Sequence, residues 1–235
     1  MSEWAAKRFW KTTTVDQVEG GFAVLLDGRS VRTPLKTLVV VPTEAMAEAM
    51  RVEWEAQVEK IDPLSMPVTR AANAALDKVS TQHAEVVDML AAYGDSDLLC
   101  YRADSPEGLI AKQAQAWDPL VDWSATDLGA PLQLRTGIMH SPQDAESLAA
   151  LRGHVASFDA FRLTAFHDLV SITGSLILGL AVTRGRVSVE DAWDLSRIDE
   201  EWQIAQWGRD DEADAQSAIK KQDLLRAAVF YGLCA

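Results

Sequence analysis

The side chains with chemical capability are few and sit in identifiable places. In WDLSRIDEEWQIAQWG, Trp193 to Gly208, a carboxylate lies among tryptophans. At about 100° per residue, Leu195, Ile198, Trp202 and Ala205 fall on one side of a helix. Trp193, Ile204 and Trp207 fall on nearly the opposite side, with Glu200 in the middle of that second stripe. A surface helix needs one apolar stripe to dock. A second is either buried from both sides or offered to something else, and tryptophans around a charge suit recognition rather than bond making. Asp95 and Asp97 form a D-x-D, which could hold a magnesium ion through carboxylate oxygens or cap the following DLLCYR turn. His167–Asp168 followed by Ser175 has the residue types of a hydrolytic triad. The nucleophile elbow G-x-S-x-G is absent, and a packed helix with a polar kink is the better explanation.

The remaining candidates point to structure. The histidines, His83, His140, His154 and His167, have no metal-ligand spacing. The glycines of GGFAVLLDGR match neither phosphate-cradling pattern, so neither a nucleotide site nor any other cofactor is expected. Arg29 and Arg32 flank a turn and strand, where solvated or paired positions compete with a binding role. Glu53 and Glu55 bracket Trp54, which is expected to pack at the junction of sheet and helices with both glutamates in water. Trp117 and Trp123 read as bundle packing.

The elements that must position these side chains divide into two kinds. FWKTTTVDQV, FAVLLDG and KTLVVVP read as short strands, separated by the Gly20–Gly21 turn and the Asp27–Gly28 turn. Thr43 is expected to cap a helix over 44–59. Pro63 and Pro67 hold IDPLSMPVT extended or turning. The pattern is then helical to the end: 68–78, 81–93, 106–117, 119–128, 142–157, 160–183, 189–208 and 211–233. Ser105–Pro106 and Ser141–Pro142 read as cap and first-turn pairs, and Ser188 opens a capping-box-like S-V-E-D. Gly174 and Gly179 suggest close helix approach, and 130–138 a short extended excursion. The fold class is α+β: residues 1–62 a small antiparallel β domain with its closing helix, residues 63–235 a helical bundle.

Composition narrows the function classes. A formal net charge of −13 disfavours nucleic acid, which needs a basic face, and anionic lipid. Cys100 and Cys234 form neither a disulfide framework nor a metal set, so a reducing compartment is expected. The longest apolar run, Leu169 to Val182, is shorter than a bilayer span and reads as a buried helix. MSEWAAKRFW shows no signal or transit pattern.

RFWK (Arg8 to Lys11), GGFAVLLDGRSVRTP (Gly20 to Pro34), Glu53–Trp54, DLLCYR (Asp97 to Arg102), WDPLVDW (Trp117 to Trp123), TGSLILGLA (Thr173 to Ala181) and DEEWQIAQWG (Asp199 to Gly208) together resemble one family. It is the ATP synthase assembly chaperone family that handles the alpha subunit of the F1-ATPase head, found in mitochondria and some bacteria. The resemblance covers nearly the whole chain from Arg8 onward. It implies a non-catalytic, monomeric chaperone that binds unassembled alpha subunit until the beta subunit arrives, with a β-rich N-terminal and a helical C-terminal domain. It also implies an acidic functional position within Asp199–Glu200–Glu201. Helical geometry points to Glu200, and the family pattern alone does not separate it from Glu201. The expected partner-binding set is therefore Glu200, Glu201, Trp193, Ile204 and Trp207, without metal, cofactor, nucleic acid or membrane insertion. A missing leader favours the bacterial cytoplasm, or the mitochondrial matrix for a processed form. Two other classes stand beside this reading: a small-molecule enzyme using Asp95, Asp97 and nearby arginines, and an adaptor for an unrelated partner.

Overall fold

The computed structural model of the chain describes residues 7–137 and 139–235; the chain's start and Ile138, the last residue of the expected extended stretch, lie outside the described residues. By contacts the chain divides into two units. The first takes in everything up to His83 together with Ala160–Ala165 and Val229–Ala235; the second comprises Ala84–Asp159 and Phe166–Ala228.

In the first unit β1 (Thr13–Val18), β2 (Gly21–Leu26) and β3 (Arg29–Ser30) form an antiparallel sheet in that order. The two-residue turn between Leu26 and Arg29 places Asp27 at φ 48° and Gly28 at φ 76°, the backbone of a tight hairpin matched to strand twist. Asp27 is held there because its carboxylate accepts from the Thr12 and Lys11 amides and the Thr12 hydroxyl, which keeps its pKa below the usual value. The expected third strand, KTLVVVP, pairs only through the bridges Arg32–Leu38 and Phe22–Val41. Val24, Leu26, Val31, Val39 and Val41 pack with Met46 and Met50 of α1 (Glu44–Glu55), which Thr43 caps through the Met46 amide at 3.1 Å. Trp54 meets Trp10 edge to face at 5.2 Å.

Of the glutamates beside Trp54, Glu55 is exposed as expected and Glu53 is not. Glu53 accepts from the Val68 and Thr69 amides at 2.7 and 2.8 Å and so caps α2 (Pro67–Ala74). Glu55 accepts from Thr13 and Arg8. The Glu53 correction arises because free helix N–H groups attract a carboxylate that sequence spacing leaves unassigned; Glu55 stays exposed, as expected.

The second unit contains α3 (His83–Ala91), α4 (Glu107–Asp127), α5 (Ala145–Ala156), α7 (Leu176–Thr183), α8 (Val189–Ser196), α9 (Ile198–Trp207), a parallel pair of short strands β4 (Tyr101–Arg102) and β5 (Arg135–Thr136), and most of α6 (Ala160–Thr173) and α10 (Asp211–Gly232). The helix expected over 160–183 is broken: Gly174 takes φ 69° and Ser175 caps α7 through the Leu178 amide. Close approach is not Gly174's reason, since nothing would meet a Cβ there. Gly179 does carry that role, because a Cβ would lie 2.8 Å from Val170 Cγ2. The expected break before Pro119 is absent, and α4 runs through it with Trp117, Leu120 and Val121 buried. Ser105 and Ser141 do not cap: Pro106 itself precedes α4, and Asp144 caps α5 through the Glu146 and Ser147 amides. Among the described residues no helix is long and apolar enough to cross a membrane.

Asp97 ties this unit together. It is fully buried and accepts from the Leu99 amide at 3.0 Å, the Ser175 hydroxyl at 2.7 Å and the Ile177 amide at 3.0 Å. Desolvation pushes its pKa up, and the donors limit the rise, leaving it at about 6. Beside it, burial raises the Cys100 thiol to about 12 and makes it an inert core residue. Asp97→Ala would orphan three buried donors, at an expected cost of about 3–5 kcal/mol near pH 4. The folded pKa of about 6 exceeds the unfolded 3.8, so the carboxyl's contribution is present in full below about pH 4 and is lost as pH rises through 6. Urea denaturation should therefore show the gap between the two proteins narrowing by about 2 kcal/mol from about pH 4 to about pH 7.

Candidate functional site

The segment expected as one helix over 189–208 is two. Ser188 caps α8 through the Asp191 amide at 2.9 Å, as its S-V-E-D spacing predicts. Arg197, at φ −114° and ψ 15°, separates α8 from α9. This break resets the helical phase, so Trp193 does not share a stripe with Ile204 and Trp207. Trp193 is 7% exposed, packed with Leu169, Leu224 and Ala227, and covered by the Arg197 guanidinium 5.3 Å from its ring. It is a core residue of this unit rather than part of an open face.

α9 is docked on α4 by side chains at helical spacing. Trp117 donates its Nε1 proton to the Leu195 carbonyl at 2.9 Å. Gln113, 1% exposed, donates from Nε2 to Asp199 Oδ1 at 2.6 Å, while its Oε1 accepts from the Ala103 amide at 2.8 Å. Trp202 lies over Gly108, where an added Cβ would stand 2.8 Å from its Cη2. Ile198 is buried between these anchors. The inward stripe of α9 is therefore Ile198, Asp199 and Trp202; Leu195, expected with them, lies in α8 before the break, and Ala205 is exposed. Trp202 is half-buried rather than fully enclosed. Asp199 was the residue that reading for apolar side chains missed; its position three before Trp202 was the available signal.

The opposite face is open. Glu200 and Glu201 are exposed, Ile204 is half-buried, and Trp207 is 81% exposed at the helix end, where Gly208 takes φ 91°. Glu200, Ile204 and Trp207 stand four and three residues apart and share one stripe. Arg197 reaches Glu200 at 3.5 Å, and both side chains stay partly in solvent, so the pair stabilises little and leaves the carboxylate available. The three acids of the first turn of α9 are favoured there by its dipole. The structure thus brings together Glu200, Glu201, Ile204 and Trp207, and removes Trp193.

The alternative carboxylate pair does not converge. Asp95 accepts from the Gln143 amide at 2.7 Å and faces His140 Nε2 at 3.3 Å, whereas Asp97 is enclosed in the α7 clamp. Asp97 also caps the Leu98–Cys100 turn, the second of its two sequence readings. The triad types are likewise apart in role. His167 Nδ1 meets Asp168 at 2.8 Å, which raises its pKa, while the Ser175 hydroxyl is buried against Asp97.

The sequence model of the family described as ATP12 chaperone protein matches residues 7–125. The chain is similar to Protein atp12, mitochondrial, of Schizosaccharomyces pombe, 27% identical over 215 residues that cover 86% of this chain and 74% of the relative. The crystal structure of Atp12 from Paracoccus denitrificans is 52% identical, with a TM-score of 0.95 and coverage of 98% of this chain and 99% of that one. An aspartate-to-lysine mutant of P. denitrificans Atp12p, also 52% identical, gives a TM-score of 0.96 over 100% of both chains.

The docking of α9 sets a direct contrast. Gly108→Val, which drives atoms into Trp202, is expected to cost about 1–3 kcal/mol by overpacking and to shift Trp202 fluorescence. Trp207→Ala, on the open face, should move stability by less than about 0.5 kcal/mol. Thermal melting of the two variants checks both.

Proposed function

The chain belongs to the ATP12 chaperone family of non-enzymatic ATP synthase assembly factors, and we propose that it captures the unassembled alpha subunit of the F1-ATPase head, prevents its aggregation and releases it when the beta subunit arrives. The observation that carries this reading is the open stripe Glu200–Ile204–Trp207 on a helix whose other face is anchored by Gln113 and Gly108. A large apolar side chain held in solvent on a fixed helix is characteristic of a protein-binding site. Subunits of a ring expose apolar interfaces before assembly, and such surfaces aggregate.

The carboxylates suit a contact that must be undone. A tryptophan anchor supplies apolar area, and a charge beside it contributes only when the client presents a complementary cation. Glu200 lies on the Ile204–Trp207 stripe and is the central acid in this reading, with Glu201 one position around the helix. In this reading the protein acts as a monomer, in the bacterial cytoplasm or the mitochondrial matrix.

Alpha subunit expressed alone should co-purify with this chain and stay soluble in its presence. Glu200→Lys should weaken capture by about 2–5 kcal/mol, and Trp207→Ala by about 2 kcal/mol, while both melt within about 0.5 kcal/mol of the parent. Normal capture by both variants would place the client surface elsewhere. Unfolding by Glu200→Lys would mean that the open stripe is part of the core.

A further inference from the structure

In a chain of net charge −13, the segment from Gly28 to Thr43 holds Arg29, Arg32 and Lys36 and no acid. All three cations are exposed. Between them the chain turns back on itself: the Thr33 amide donates to the Thr37 carbonyl at 2.9 Å, the Lys36 amide to the Thr33 carbonyl at 2.9 Å, and the Thr37 amide to the Thr33 hydroxyl at 3.1 Å. Arg32 Nη1 closes the turn on the Lys36 carbonyl at 2.7 Å. At the tip the Leu35 amide donates to Asp77 Oδ2 at 3.2 Å, from a π-helical turn over Ala75–Val79. The backbone is therefore fixed by the first unit's own helix. Leu35 is nonetheless 70% exposed and Leu38 47% exposed.

Two apolar side chains kept in water on a rigid, basic turn are not explained by the core of the unit, which they do not join. We propose that this tip docks an acidic segment of a partner protein bearing an apolar side chain, with Leu35 and Leu38 receiving the apolar group and Arg29, Arg32 and Lys36 facing its carboxylates. The charge argument selects the partner. An acidic protein repels acidic segments over most of its surface, so this basic stretch is where one can land. Fixing the turn beforehand removes the ordering cost that a flexible loop would bear on binding. The proposal stands on the tip itself and does not rest on capture of the alpha subunit.

The test uses the full chain labelled with 15N and titrated with a synthetic peptide of alternating glutamate and leucine. Amide shifts are expected over 29–38, weakening as salt rises. Arg29→Glu combined with Lys36→Glu should lower the affinity about tenfold, and Leu35→Ser about fivefold, with unchanged melting. A lysine–leucine peptide should leave these amides unmoved. Absence of shifts at the tip in the parent protein overturns the proposal, as do shifts insensitive to both variants. Binding of phosphatidylserine vesicles without the peptide also overturns it, in favour of a membrane surface. Alpha-subunit capture by the same variants, run in parallel, reads the α9 proposal separately.

Discussion

The side-chain amide of Gln113 joins the chain just before α4 to a segment 86 residues away. Its oxygen takes the Ala103 amide beyond β4, and its nitrogen holds Asp199 at the start of α9, from a position 1% exposed on α4. A buried amide left half-used would cost about 1–3 kcal/mol, so the two bonds are made together or not at all. With Gly108 beneath Trp202, this bond sets which side of α9 faces α4, while Trp117 holds the end of α8 through the Leu195 carbonyl. The orientation of Glu200, Ile204 and Trp207 toward solvent follows from it.

Carboxylates in this protein do three different things, and burial decides which. Asp97 is enclosed and serves α7 by accepting from donors that helix geometry leaves free. Asp199 is half-buried and serves as a latch. Glu200 and Glu201, one and two residues further along the same helical turn, are in water. Three consecutive acids thus divide between anchoring and recognition because neighbours on a helix point about 100° apart.

The chaperone reading joins these local facts to a function. Family membership identifies an assembly factor, and the docking of α9 supplies it with an apolar and acidic face that the rest of the unit does not need for packing. A basic turn in the first unit offers a surface of opposite charge.

Local order was largely legible. The Asp27–Gly28 hairpin, the Thr43 cap, the Ser188 cap and the inward side of α9 follow from residue type and spacing, because turns, caps and helical faces are decided by a few neighbouring dihedrals. The α+β class followed from the change of period after the first strands. The family resemblance rested on ordered motifs rather than on that physics. What only the tertiary structure decided were the breaks and the long-range bonds. Gly174 and Arg197 each end a helix that periodicity alone continues, while Pro119 fails to end one because buried packing around it outweighs the lost hydrogen bond. The break at Arg197 sent Trp193 to the core, and the reach of Gln113 to a residue 86 positions away turned Asp199 inward. Local dihedral preferences are worth tenths of a kilocalorie per residue, whereas a buried contact is worth one or more; where the two compete, the partner across the core prevails.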